Sequence, residues 1–265
     1  MTEKRLPGVY PSRKKDQTLY YRASITFRRK HISLGSFSSM KAAHNAYIEA
    51  ASLLENNEKT LLDYTVKSSL NFSKWVILLN FRDNGIYIGN PIYIRQKFFY
   101  YYLSQNHRLT FDIDDLFYYS SHKIMRRGGH LFVADYGSQI SLHSRYGIPP
   151  FAVYDKDFRF RNGDNMDYRY ENIEVMNPYH GVRITEHNGK SCYLTVIHIH
   201  GDYIVGRYHT ALEAAIAYNK AIDCLNKKGL KKNFRPNYLE NCSPSQYADI
   251  YSHVIISDRI LNYSL

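Results

Sequence analysis

Along residues 20–27 apolar and polar side chains alternate at the period of a β-strand. Tyr21, Ala23, Ile25 and Phe27 fall on one side, Arg22, Ser24 and Thr26 on the other. Arg28-Arg29-Lys30 reads as a turn, and His31 to Phe37 as the returning strand, with Ile32 and Leu34 inward. The period then lengthens. Behind Ser38 or Ser39, either of which can cap a helix, Ala43, Ala46, Tyr47 and Ala50 form one helical stripe. The small alanines predict a helix lying close on the sheet.

The same succession recurs near the far end of the chain. Tyr203-Ile204-Val205-Gly206-Arg207-Tyr208 repeats Ile32-Ser33-Leu34-Gly35-Ser36-Phe37. Gly35 and Gly206, Phe37 and Tyr208, Ala43 and Ala214, Ala46 and Ala217, Tyr47 and Tyr218 share one offset of 171 residues. Gly8-Val9 and Gly181-Val182 also correspond, with a two-residue length change placed in the hairpin between. In the second copy Thr210 and Glu213 make a capping box. Two copies of a three-strand-plus-helix module thus flank a different middle, an α+β architecture divided as residues 1–58, 59–177, 178–240 and a C-terminal extension 241–265.

The middle opens after Asn56-Asn57-Glu58-Lys59 with an irregular stretch to about Ser73. Short aromatic strands are expected over Trp75 to Phe81, Gly85 to Gly89 and Ile92 to Arg95. His130 to Asp135 and Gln139 to His143 predict a hairpin around Tyr136-Gly137-Ser138. Asn162-Gly163-Asp164 is a tight-turn signal, and Asp167 onward opens a turn or helix towards Asn172. The run Phe99-Tyr100-Tyr101-Tyr102-Leu103 reads as core, with base stacking as the alternative.

Charge adds a partner class. The chain has 265 residues, 35 Lys+Arg against 24 Asp+Glu, and a formal charge of +11. Arg13, Lys14, Lys15, Arg22, Arg28, Arg29 and Lys30 face only Asp16 in acidic opposition, which suits a polyanion. No apolar run approaches a membrane span, and no apolar stretch follows Met1-Thr2-Glu3-Lys4-Arg5, so no signal peptide, no membrane partner and an intracellular location are expected. Cys192, Cys224 and Cys242 form no disulfide framework or paired zinc motif. His198 and His200, with His187 nearby, lack the further ligands of a zinc site, and Asp112, Asp114 and Asp115 lack a metal-spaced partner.

The pattern G-V, alternating strand, L-G-x-F and x-A-A-x-x-A-Y resembles the ethylene-response-factor (ERF) type of DNA-binding domain, of the APETALA kind, found in plants and in mobile elements. Gly229, Asn233 and Phe234 resemble that family's closing G-x-x-x-N-F. The resemblance implies a sheet face on double-stranded DNA made of Tyr10, Ser12, Arg22, Ser24, Thr26, His31 and Ser33, with Arg13, Lys14, Lys15, Arg28, Arg29 and Lys30 on phosphates. Transferred to the second copy at matching positions, the set is Arg183, Thr185, Tyr193, Thr195, Ile197, Asp202 and Ile204, with Lys190 beside it. Ile197 and Ile204 also suggest a protein partner for that copy.

Over about residues 110–177 the chain resembles an HNH homing-type endonuclease. Asn162, Gly163, Asp164, Asp167, Arg169 and Asn172 follow that pattern, and His143 lies in an upstream L-H segment. The family's Asp-His pair, metal ligand and general base, is replaced by Arg159 and Phe160. A guanidinium repels a divalent cation and a phenyl ring accepts no proton. The expectation is therefore a degenerate nuclease fold without cofactor, within a DNA-binding protein of phage or mobile-element type, acting in transcription regulation. The alternative is an active nuclease using Mg²⁺ or another divalent cation through a shifted ligand set.

Overall fold

The computed structural model describes residues 6–149 and 152–264. It is an α+β chain of small antiparallel sheets, and it divides into two compact units. Residues 1–140 with 165–170 form one; residues 141–164 with 171–265 form the other. The segment 59–177 is thereby shared between the two.

In the first unit β1 (Val9–Arg13), β2 (Leu19–Phe27) and β3 (Lys30–Phe37) pair in that order. Helix α1 (Met40–Glu55) lies on one face, its Ser39 side chain accepting the Ala42 N–H. Ala43, Ala46, Ala50, Leu53 and Leu54 are the buried stripe, and the absence of bulk at the alanines lets helix and sheet approach closely. Gly8 sets the closeness. Its φ is +73°, and a Cβ there would run into the Tyr47 ring.

Residues 72–84 are α2 (Phe72–Asn84), where a strand was expected over Trp75 to Phe81. Every residue from Trp75 to Arg82 is buried, so no polar face betrays the helical period. Its limits are set by Asn71, whose side chain accepts the Lys74 N–H, and by Gly85 in the left-handed conformation. Gly85 to Gly89, also expected as a strand, is irregular. Helix α2 packs on α1, and its Arg82 finishes that helix. The guanidinium donates to the carbonyls of Leu53 (2.9 Å), Asn56 (2.6 Å) and Lys59 (2.8 Å), and pairs with Asp83 at 2.6 Å. Carbonyls that α1 leaves without helical partners are met by a buried cation. The boundary drawn after residue 58 therefore separates no cores: α1 and α2 share one.

Strands β4 (Ile92–Ile94), β5 (Phe98–Ser104) and β6 (His107–Asp112) form a second sheet. Residues 166–168 run beside β6, Thr110 donating to Met166 and Tyr168 to Thr110. Phe99, Tyr101 and Tyr102 are buried, so three of the five residues of the tyrosine-rich run are core. After a 3-10 turn (Ile113–Asp115) and α3 (Leu116–Ser121), β7 (Ile124–Arg127), β8 (His130–Asp135) and β9 (Ser138–Ser141) make a third sheet.

The second unit starts with a 3-10 turn (Leu142–Tyr146) in place of the end of a strand. A short antiparallel pair follows, β10 (Phe158–Phe160) with β11 (Ile173–Val175), and no α-helix intervenes before β12 (Val182–His187). β12, β13 (Lys190–His198) and β14 (Asp202–Tyr208) form a sheet under α4 (Ala211–Lys227), which opens with the expected Thr210–Glu213 capping box. Gly181 mirrors Gly8: φ is +72°, and a Cβ would meet the Tyr218 ring. The C-terminal extension belongs to this core. Helices α5 (Pro244–His253) and α6 (Asp258–Leu261) pack on α4, and Val254, Ile256 and Ile260 are buried with it. Ser257 donates its N–H to Val205, and Tyr208 its hydroxyl to Ile255, so the segment between α5 and α6 lies along β14. Among the described residues no helix is long and apolar enough to cross a membrane.

Candidate nucleic-acid interface

The sheet of the first unit buries one face under α1 and leaves the other open. Register fixes who stands on the open face: Tyr10 is opposite Arg22 and Arg22 opposite Ser36; Ser12 opposite Tyr20; Ser24 opposite Ser33; Thr26 opposite His31. Arg22, Thr26, His31 and Ser33 are exposed, Tyr10 is 55% exposed and Ser12 half-buried. Ser24 departs from expectation. It sits on the central strand where the register shifts between Ala23 and Ser24, and it is 8% exposed, donating its N–H to Gly8. Tyr20 and Ser36 join the face through register alone.

The cations flank this face unequally. At the β1–β2 end Arg13 donates to the Gln17 carbonyl (3.3 Å), while Lys14 and Lys15 are exposed without an ionic partner among the described residues. Asp16, beside them, spends its carboxylate on the Thr18 N–H at 3.0 Å; Thr18's backbone and side-chain bonds hold its pKa down. At the other end Arg28 (φ +46°) and Arg29 (φ +66°) form a two-residue turn in left-handed conformations that bulky residues rarely adopt. Arg28 lies over the Phe27 ring (5.0 Å) and donates to the Phe81 carbonyl at 3.2 Å, so it caps the last turn of α2. Lys30 lies over the Tyr87 ring at 5.0 Å. Of the three expected phosphate ligands in this turn, Arg28 and Lys30 hold structure and Arg29 stands in solvent.

The second module repeats the backbone with a different surface. Arg183 is opposite Leu194 and Leu194 opposite Arg207; Thr185 opposite Cys192; Val196 opposite Ile204; His198 opposite Asp202. The transfer that placed Tyr193, Thr195 and Ile197 on the open face is therefore one residue out of register on β13. Thr195 is fully buried with its hydroxyl donating to Ala214 (3.0 Å), Ile197 is fully buried, and Tyr193 packs towards the core. The cause is that each hairpin is one residue shorter than its counterpart, rather than the first by two, and a one-residue slip exchanges the faces of a strand. The signal was present: Asn188 and Gly189, both at positive φ, make the tight turn that pairs His187 with Lys190 and counts the rest of the register off from there.

The corrected face carries its own neutralisation. Asp202 takes hydrogen bonds from His198 (2.9 Å) and Arg183 (3.3 Å), which hold its carboxyl below the usual range. A cleft of about 150 Å³ beside it is lined by Arg183, Val196, His198 and Asp202 together with Pro149 and Ala152. Part of this face is thus walled by the chain itself. Lys190 is exposed at the hairpin tip, Thr185 is half-buried, and Ile204 is 46% exposed.

No family model, curated protein or solved structure matches the chain. Asn162, Gly163, Asp164 and Asn172 come together as a turn: Asn172 Oδ1 accepts the Asn162 N–H (2.8 Å), its amide reaches the Asp164 carbonyl, and Asn162 Oδ1 accepts the Asp164 N–H (2.8 Å). Asp167 and Arg169 form a two-pronged pair at 2.9 and 2.6 Å in the first unit. Arg159 pairs across the strands with Glu174 at 2.9 Å, and Arg161 approaches the same carboxylate at 3.6 Å. Phe160 is 5% exposed and His143 lies 5.0 Å from the Phe158 ring. Asp157, two residues before Arg159, is buried and accepts from Val153 N–H and Asn177, both at 2.7 Å. The carboxylates of Asp157 and Asp167 are engaged by protein donors and a guanidinium stands in the ligand position, so these positions do not fit a divalent cation. No group of three metal-ligating side chains occurs among the described residues.

Proposed function

We propose that the protein binds double-stranded DNA through the open face of β1–β2–β3. The observation that carries this reading is the registered polar array of Tyr10, Ser12, Arg22, Thr26, His31 and Ser33, with lysines that have no ionic partner among the described residues at one end and Arg29 at the other. Strands entering a major groove bring alternate side chains to base edges, and cations at the sheet margins meet the phosphates on either side. The ERF-type resemblance of both modules supports the same use. In this reading Arg22, Thr26 and His31 read bases, Lys14, Lys15 and Arg29 hold phosphates, and the β10–β11 region is scaffold without catalysis. The second module contributes less, because Asp202 neutralises Arg183 and Leu194 replaces the central-strand arginine of the first, which leaves Arg207 as the exposed arginine of that face.

The test is fluorescence anisotropy with random duplex DNA across a salt series, with and without Mg²⁺. Submicromolar binding that weakens steeply with salt, with the DNA left whole, is expected. Cleavage in Mg²⁺ would move the assignment to a nuclease, and absence of binding at low salt would end the proposal.

A further inference from the structure

The outer face of β4–β5–β6 is built unlike either module. Tyr93, Tyr100 and Thr110 share one row, Tyr102 stands opposite Arg108, and Phe98 opposite Asp112. Along β5 the rings of Phe98, Tyr100 and Tyr102 form a ladder with centroids 5.2 and 6.2 Å apart. Tyr102 is closed off by Phe72, whereas Phe98, Tyr100 and Tyr93 remain partly open.

Each open ring carries a guanidinium. Arg95 lies 4.8 Å from the Tyr93 centroid, Arg108 4.2 Å from Tyr100, and Arg169 5.9 Å from Phe98. Such stacks occur about once per 70–80 residues in proteins generally, so three on one small sheet face mark a concentration. Arg169 is balanced by Asp167. Arg95, Arg108 and the neighbouring Lys97 are exposed and make no ion pair among the described residues. The nearby carboxylates are engaged, Asp112 by the Tyr170 N–H and Asp83 by the Tyr93 hydroxyl. The opposite face, with Ile92, Phe99, Tyr101, Leu109 and Phe111, is core, so the rings are held rigidly.

We propose that this face is a stacking platform for single-stranded nucleic acid. Flat π-surfaces and guanidinium planes two residues apart on a strand accept successive unpaired bases, while the unpaired arginines and Lys97 meet the phosphates. Paired bases offer no such faces, so a duplex does not compete for the rings. The site is separate from β1–β2–β3 and does not depend on duplex binding there.

The experiment uses the full chain with fluorescein-labelled oligothymidylate and oligouridylate of about 12 nucleotides, within the usual range of site sizes. Tyr100→Ala and Arg108→Ala should each weaken binding about tenfold, the scale of losing one stacked base, while Tyr100→Phe retains it. Arg22→Ala should leave oligonucleotide binding unchanged, so failure here and failure of the duplex reading are told apart. Equal affinity for the two strands identifies the shared base and phosphate chemistry; preference for one names the source. The proposal falls if neither strand binds in low salt. It also falls if Tyr100→Ala and Arg108→Ala, folded by circular dichroism, bind as the parent does, or if Tyr100→Phe loses as much as Tyr100→Ala.

Discussion

The two three-stranded modules share one order of strands and helix, with hairpins of different length, and present different surfaces. Both place a positive-φ glycine beneath a helical tyrosine, both stack small alanines on the sheet, and both back their helix with a following one, α1 with α2 and α4 with α5. Yet the central strand of the first presents Arg22 where that of the second presents Leu194, and His31 is answered by Asp202. The inward residues of such a module are confined by packing, because any Cβ added at Gly8 or Gly181 collides. The outward ones are free to diverge, so a repeated fold carries no guarantee of a repeated partner.

The largest effect should come from what the modules share. Gly8→Ala and Gly181→Ala each combine an overpacked ring contact with a left-handed backbone, and each should cost about 2–4 kcal/mol, read as a fall in the urea midpoint. A silent substitution at one of the two would show that their common geometry is only apparent. Next comes what they do not share. Arg22→Ala should cost about 1–3 kcal/mol of duplex affinity and flatten sequence preference, whereas Leu194→Ala at the equivalent position should change neither. Equal losses from both would place the two faces on the DNA alike.

A smaller effect is expected at the margins. Lys14→Ala should lower the slope of log affinity against log salt by about one, uniformly over sequences; Lys190→Ala in the second module should leave that slope alone. The smallest is a pH response confined to the second module. The hydrogen bond from His198, and then the charge of Arg183, lower the Asp202 carboxyl in the folded protein. A lowered acid favours folding above its unfolded pKa of about 3.9, and that advantage disappears as pH falls through the folded value. Denaturant midpoints of the parent and Asp202→Asn should therefore converge in acid and separate slightly above about pH 4. A constant gap would mean that the difference is not a titration.

Much of this architecture was legible where one periodicity ran uninterrupted. The α1 stripe, the Thr210–Glu213 box and the β2–β3 hairpin follow directly from residue order. Helix α2 did not, because burial on all sides erased its polar face; only Asn71 and Gly85, 14 positions apart, marked its ends. The open face of the second module depends on a loop count, and the flanking motifs cannot localise a deletion that two shorter hairpins share. The place of Arg28 was illegible for another reason. Its partner, the Phe81 carbonyl, lies 53 residues away, and no local pattern separates a cation aimed at phosphate from one aimed at a helix end.

Arg82 has a consequence for where this chain can be cut. One guanidinium ties together Leu53, Asn56 and Lys59, the residues across which a cut after the first module would fall. A chain cut there would keep every side chain of the open sheet face and lose the cation that finishes its supporting helix, along with the α2 surface covering Leu53. The first module is therefore not a portable cassette as it stands. A fragment that keeps this sheet face with its helix finished must include α2, and α2 in turn is covered by β4 and β5 of the same unit.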